Sequence, residues 1–227
     1  MLESVRDNRA IDIDHIVWDW NGTLLDDNPV MLASVNDVCA AYGAPAITLT
    51  DWHAAFCRPL WRCYSKVLRQ EITEDAWPVV EATYHDAYRT RLRECGLAAD
   101  ARDCLDRAWR GGVSQSVLSM GFHDDVVEHV SNSGIAEYFV AVDGVTDRVS
   151  GGNKAAYLYA HLKRIGARPE RTLMIGDVVD DAHAAEEVGT QVVLVSTGMT
   201  DAATLQTAGA VTSSLTSALD LALRASA

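Results

Sequence analysis

The sequence predicts a doubly wound α/β fold, a parallel sheet covered by helices on both faces, with a small all-helical insert after the first strand. Three observations carry this. Short runs rich in Val and Ile, of the kind that form buried parallel strands, recur along the chain. After residue 112 they alternate with helical patterns, as strand–helix–strand units do. Between residues 28 and 112 no convincing strand pattern occurs.

The first strand is expected at 13–18 (IDHIVW). Asn28-Pro29 then reads as an N-cap with proline in the first helical position. Leu32, Val35, Cys39 and Tyr42 follow at helical spacing as far as Gly43. A second long helix carries Val80, Tyr84, Tyr88, Leu92 and Cys95, with Gly96 as its stop. Gly111-Gly112 makes a flexible joint before the next strand at 115–119 (QSVLS). Further strands are expected at 138–142 (YFVAV), 172–176 (TLMIG), 191–196 (QVVLVS) and 210–212 (AVT). Residues 153–165 put Ala155, Leu158, Leu162 and Ile165 on one helix face, and Gly166 closes the turn before Pro169. The expected core is therefore 1–27 with 112–227, and the insert 28–111, hinged at Asp26–Asn28 and Gly111–Gly112.

Composition narrows the function. A chain of 227 residues, 48% hydrophobic and 22% charged, is ordinary for a globular protein with one large domain or a core plus insert. A net charge of -13 excludes a nucleic-acid binder and docking on anionic lipid, because neither phosphate-rich partner would be attracted. The first residues, MLESVRDNRAIDIDH, lack the apolar core of a signal peptide, and no run approaches a membrane span. Five cysteines with no C-x-x-C spacing suggest reduced, buried thiols and a cytoplasmic protein.

In an open parallel sheet, ligands bind beyond the carboxyl ends of the strands. Asp19 follows the first strand, Ser119 ends the second, and Gly176-Asp177 end the fourth, with Lys154 opening the helix before it. Each alone is an unremarkable turn or cap residue. Together, on one rim, they form a site. SGGNKAA does not read as a nucleotide-binding P-loop, since Asn separates Gly from Lys and no Ser or Thr follows.

These residues resemble the motifs of the haloacid dehalogenase-like superfamily of phosphohydrolases. IVWDWNGTL is similar to its first motif, SVLSM to its second, GGNKAAYL to its third and LMIGDVVDD to its fourth. GAPAITLTDWHAAFCRPLWRCYSKVL is most similar to the phosphoglycolate-phosphatase group, whose cap loop corresponds to Cys57-Arg58-Pro59-Leu60. The resemblance implies a Rossmann-like core with a helical cap, acting on a small phosphorylated metabolite. It implies Asp19 as nucleophile, forming an aspartyl-phosphate. It implies Mg²⁺ held by Asp19, the main-chain carbonyl of Asn21 and Asp177. Asp181, or its neighbour Asp180, supports Lys154 or a metal-bound water. Ser119 and Lys154 bind the phosphoryl oxygens, and Gly22, Thr23 and Met120 line the phosphate position. Arg58 is the candidate for a distal substrate anion, ahead of Trp61 and Arg62. Trp20 is expected to pack as core, and His123 to cap a helix.

One position departs from the family. Asn21 stands where its phosphatases carry a second carboxylate, which protonates the leaving group. An amide offers no such proton, and general acid–base help is worth roughly 10²–10⁴-fold. Several readings stay open: a phosphatase with a cap residue or water replacing the acid, one restricted to good leaving groups, or an impaired phospholigand-binding or regulatory protein. A further alternative is a phosphonate hydrolase with a Schiff base on Lys66, the only lysine in the insert, although Lys66 sits on a plausible solvated face.

Overall fold

The computed structural model describes residues 13–146 and 153–224, with side chains as far as Ala222. Gly151-Gly152 of the GGNK stretch and the first twelve residues lie outside the described part. Ten helices and eight strands are described: β1 (His15–Trp18), β2 (Leu25–Asp26), α1 (Asn28–Ala41), α2 (Leu49–Ala55), α3 (Leu60–Leu68), α4 (Trp77–Arg91), β3 (Gly96–Leu97), α5 (Ala101–Arg110), β4 (Ser114–Phe122), α6 (His123–Asn132), β5 (Ala141–Val145), α7 (Lys154–Ile165), β6 (Thr172–Gly176), α8 (Val179–Val188), β7 (Gln191–Val195), α9 (Ala202–Leu205), β8 (Val211–Thr212) and α10 (Leu215–Arg224).

The sheet runs β5-β4-β1-β6-β7-β8, all parallel, so the expected doubly wound core is present. Every residue of β1 is buried, as a central strand covered on both faces must be. The order reverses beside β1, the topological switch point where open α/β sheets place their ligands. On one face Trp18, Leu105, Val126 and Leu219 share a cluster; on the other Val17, Leu118, Leu158 and Met174 do.

Three expectations about strands and the insert's boundary are corrected. The strand placed at 138–142 begins at Ala141, because residues 136–138 form a short 3₁₀ turn. The insert does contain a strand: β3 pairs antiparallel with β2, Leu25 opposite Leu97 and Asp26 opposite Gly96. Helix α5, assigned to the insert from sequence, belongs by packing to the core. Its Ala101, Cys104, Leu105 and Ala108 join the sheet's cluster, and Gln115 ties Trp18 Nε1 (3.0 Å) to the Leu105 carbonyl (3.0 Å). The chain thus returns to the core at the β2–β3 ribbon, not at Gly111–Gly112.

The cap, helices α1 to α4, has its own apolar cluster of Met31, Val35, Trp52, Tyr64, Leu68 and Val80. Asp27, not Asn28, is the N-cap residue of α1, with Pro29 in the first turn. Cys39, Cys63 and Cys104 are buried as expected, whereas Cys57 and Cys95 are partly exposed; all five are free thiols.

Candidate functional site

The site sits at the carboxyl end of β1, where Asp19 continues the ladder by donating its N–H to the Ile175 carbonyl at 2.8 Å. The tight turn at Gly22, with φ of 70°, folds the chain back so that Thr23 Oγ1 reaches Asp177 Oδ1 at 3.3 Å and lies 3.5 Å from Asp19 Oδ2. A β-carbon on Gly22 would lie 2.6 Å from Asp177 Oδ2, so glycine is required both for its backbone angle and for the carboxylate's approach.

Asp19, Asp177 and Asp181 are buried, and each offers an oxygen within 4.8 Å of the others. Lys154 reaches in from the start of α7 and pairs with both Asp19 and Asp181. Three carboxylates around one ammonium leave a surplus of negative charge out of water. Burial pushes the Asp19 carboxyl upward, the Lys154 ammonium opposes that, and Asp181 adds to it. Asp177 is driven well above the usual carboxylate range by burial and then by its two acidic neighbours. Burial works against the Lys154 charge, but Asp181 and Asp19 outweigh it and hold the ammonium above its ordinary range. A hard divalent cation with oxygen ligands suits this surplus. Asp180 points elsewhere: it pairs with Arg58 at 2.7 Å.

Asn21 is held by a network that the sequence did not reveal. Its amide Nδ2 donates to Asp27 Oδ2 at 2.9 Å and to Tyr88 Oη at 2.7 Å, and its Oδ1 accepts from Ser119 Oγ at 3.3 Å. Asp27 also accepts from the Gly22 N–H at 2.7 Å and from Tyr88 at 2.5 Å. Burial pushes the Asp27 carboxyl upward while these donors pull it back. The loop after β7, also unsuspected, closes the floor. Met199 N–H donates to Asp177 Oδ2 at 2.9 Å, and a β-carbon on Gly198 would sit 1.8 Å from the same oxygen.

A cavity of about 500 Å³ rises from this floor to the cap. Asp19, Asn21, Ser119, Met120, Lys154 and Asp177 line its base, and Arg58 its edge. Trp20 also lines it, although only 2% exposed. Lys66 does not line it. It is exposed on α3, bonded to the Ala55 carbonyl at 3.3 Å. Trp61 and Arg62 stay outside the lining too and pair with each other, the guanidinium 4.9 Å from the ring centre. His123 opens α6 and accepts from the Gly144 N–H at 3.2 Å, while Phe122 is the N-cap residue.

The parallel sheet thus carries buried carboxylates and a lysine at its switch point, groups that could hold a cation beside an anionic ligand. A family profile for haloacid dehalogenase-like hydrolases matches residues 13–189, and the chain belongs to that family. It is 25% identical over 190 residues to a phosphoglycolate phosphatase from Synechococcus elongatus, covering 82% of this chain and 85% of that one. It is 23% identical over 176 residues to the pyrophosphatase PpaX from Bacillus velezensis, covering 78% and 80%. A haloacid dehalogenase-like hydrolase from Streptococcus pneumoniae has the same fold, with a TM-score of 0.79, 18% identity and coverage of 92% and 98%. Among the described residues no helix is long and apolar enough to cross a membrane.

Proposed function

We propose that the protein is a phosphohydrolase that transfers a phosphoryl group from a small phosphorylated metabolite to Asp19 and then to water. The observation that carries this reading is the Lys154 bridge between Asp19 and Asp181 beside Asp177, all buried at the base of one cavity. The relatives named as phosphatases support it. Mg²⁺ would be held by Asp19, Asp177 and the Asn21 carbonyl, with Asp181 behind them, and would offset phosphoryl charge.

The Asp19 carboxylate attacks phosphorus, the bond to the leaving oxygen breaks, and the phosphoryl group is carried on Asp19 until water cleaves it. Lys154 and the Ser119 hydroxyl would bind phosphoryl oxygens. Thr23 orients Asp19 and Asp177 through its single hydroxyl.

Asn21 sets the limit on this chemistry. Both its amide hydrogens are engaged, and neither can be transferred. Tyr88, the cap hydroxyl in contact with it, is a poor substitute acid, because burial and then the Asp27 charge hold its proton far more tightly than usual. Leaving groups that depart without a proton are therefore favoured over simple alkoxides. The test is a phosphate-ester panel that includes acetyl phosphate, with and without Mg²⁺, with Asp19→Asn as the blank. Turnover that survives both metal removal and Asp19→Asn would sink the reading.

A further inference from the structure

We infer, building on the phosphohydrolase reading, that the part of the substrate beyond the phosphoryl group carries a flat ring with no negative charge. Esters with a distal carboxylate, such as phosphoglycolate, would then be poor substrates. Two features of the cavity lead there, one apolar and one electrostatic.

The cavity lining is rich in aromatic side chains. Trp52 packs against Phe56 and Tyr64 with centroids 5.8 and 5.9 Å apart, and Tyr64 lies 5.2 Å from Trp77. Phe122 faces the same space beside His85, at 5.2 Å. All of these residues line the cavity. Its volume of about 500 Å³ falls in the range of roughly 300–1,000 Å³ that holds ring-bearing ligands. A two-carbon acid would leave most of that space unfilled and the half-buried rings of Phe56, Trp77 and Phe122 in contact with water.

The charges point the same way. The lining cations are engaged: Arg58 with Asp180 at 2.7 Å, Arg89 with Asp125 at 3.1 Å, and Lys154 with Asp19 and Asp181. Glu81 and Asp86 add negative charge to the same lining. A second anion on the ligand would enter an acidic outer cavity whose guanidinium groups already have partners. A neutral ring loses nothing there, and a cationic one gains from both the acids and the ring faces.

The experiment compares kcat/KM for 2-phenylethyl phosphate, ethyl phosphate and phosphoglycolate, with acetyl phosphate as the control for turnover. The first two leave as similar alkoxides, so their ratio reads the cavity and not the missing acid. We expect the phenylethyl ester to lead both others by roughly tenfold or more, as ring burial implies. In Trp77→Ala the phenylethyl-to-ethyl ratio should fall severalfold, and a ratio within one variant cancels general damage. Acetyl phosphate turnover with no ring preference, or with phosphoglycolate ahead, overturns the inference and leaves the phosphohydrolase reading standing. Calorimetric binding of 2-phenylethylphosphonate against ethylphosphonate separates the reverse case. Tighter binding of the aromatic phosphonate without turnover of any ester supports the ligand class while the hydrolytic reading fails.

Discussion

Replacing Asn21 by Asp puts a carboxyl group at this position, but the structure predicts that the single change is harmful. The amide nitrogen lies 2.9 Å from Asp27 Oδ2. A carboxylate oxygen in its place would face another carboxylate at that distance. At an effective dielectric near 20, the repulsion is on the order of 5–6 kcal/mol. Gly22, Tyr88 and Asn21 all donate to Asp27 and so favour its charged form, against the burial that raises its carboxyl. Protonation caps the cost: taking up one proton at pH 7 from an unfolded-state carboxyl near 4 costs about 4 kcal/mol. Asn21→Asp should therefore lose roughly 2–4 kcal/mol at pH 7. The folded pair would titrate above its unfolded value, so the native state binds the extra proton. The deficit then shrinks as pH falls toward the unfolded-state value near 4 and grows as pH rises. Urea unfolding of both single variants and Asn21→Asp/Asp27→Asn, at several pH values, measures this. The double variant should recover most of the loss and hydrolyse alkyl phosphates ~10–10²-fold faster. A single variant as stable as the parent at pH 7, or a deficit that ignores pH, refutes the reasoning.

Other outcomes follow from the same geometry. Lys154→Met leaves Asp19 and Asp181 without their buried counter-charge and should cost about 3–5 kcal/mol in chelator, read by urea unfolding. Gly198→Ala forces Asp177 out of place and should raise the Mg²⁺ concentration needed for half-maximal activity by roughly tenfold or more, consistent with the usual cost of disturbing a ligand's support. His15 and His161 both contact Ser116 Oγ at 2.7 Å in the core. Burial, then the His161 charge, lowers His15 to about 4, so the unfolded state takes up a proton first and stability falls as pH drops from 6.5 toward 4. Stability measured at pH 4.5 and 7 should drop by up to about 3 kcal/mol more in the parent than in His15→Asn. Finally, peptide mass across residues 11–30 should show no deamidation of Asn21, because the Gly22 N–H that would attack its side chain is held by Asp27 at 2.7 Å.

The base of the site was legible as polar groups placed by the sheet: Asp19 follows β1 and Asp177 follows β6, while Ser119, expected to end its strand, lies inside β4, which runs on to Phe122. Asp27 was not legible. In a hinge reading Asp26-Asp27 is merely polar, and its contact with Tyr88 spans 61 positions. Gly198 was hidden for the same reason, since a glycine's importance lies in what approaches it. Helix α5 was misassigned because an amphipathic pattern states that one face is buried, without naming the body that buries it. The two-residue strands β2 and β3 are too short for any period. Tyr138 and Phe139 have the composition of a strand, yet they pack against the core from a 3₁₀ turn and its end. Arg58 was read as an anion receptor from its place in the cap loop and its guanidinium fork; the sequence did not show that Asp180 pairs with it.

The β2–β3 ribbon has a consequence for how such a protein can change over evolutionary time. Asp26 and Gly96 are directly opposed partners, so the path out to the cap and the path back pass side by side. The whole excursion is a side loop on a backbone that hardly registers its length. A different set of helices could be spliced between the same two residues without moving β1 or Asp19. Asp27 and Tyr88, which hold Asn21 from within the excursion, are the two side chains such a splice would have to keep.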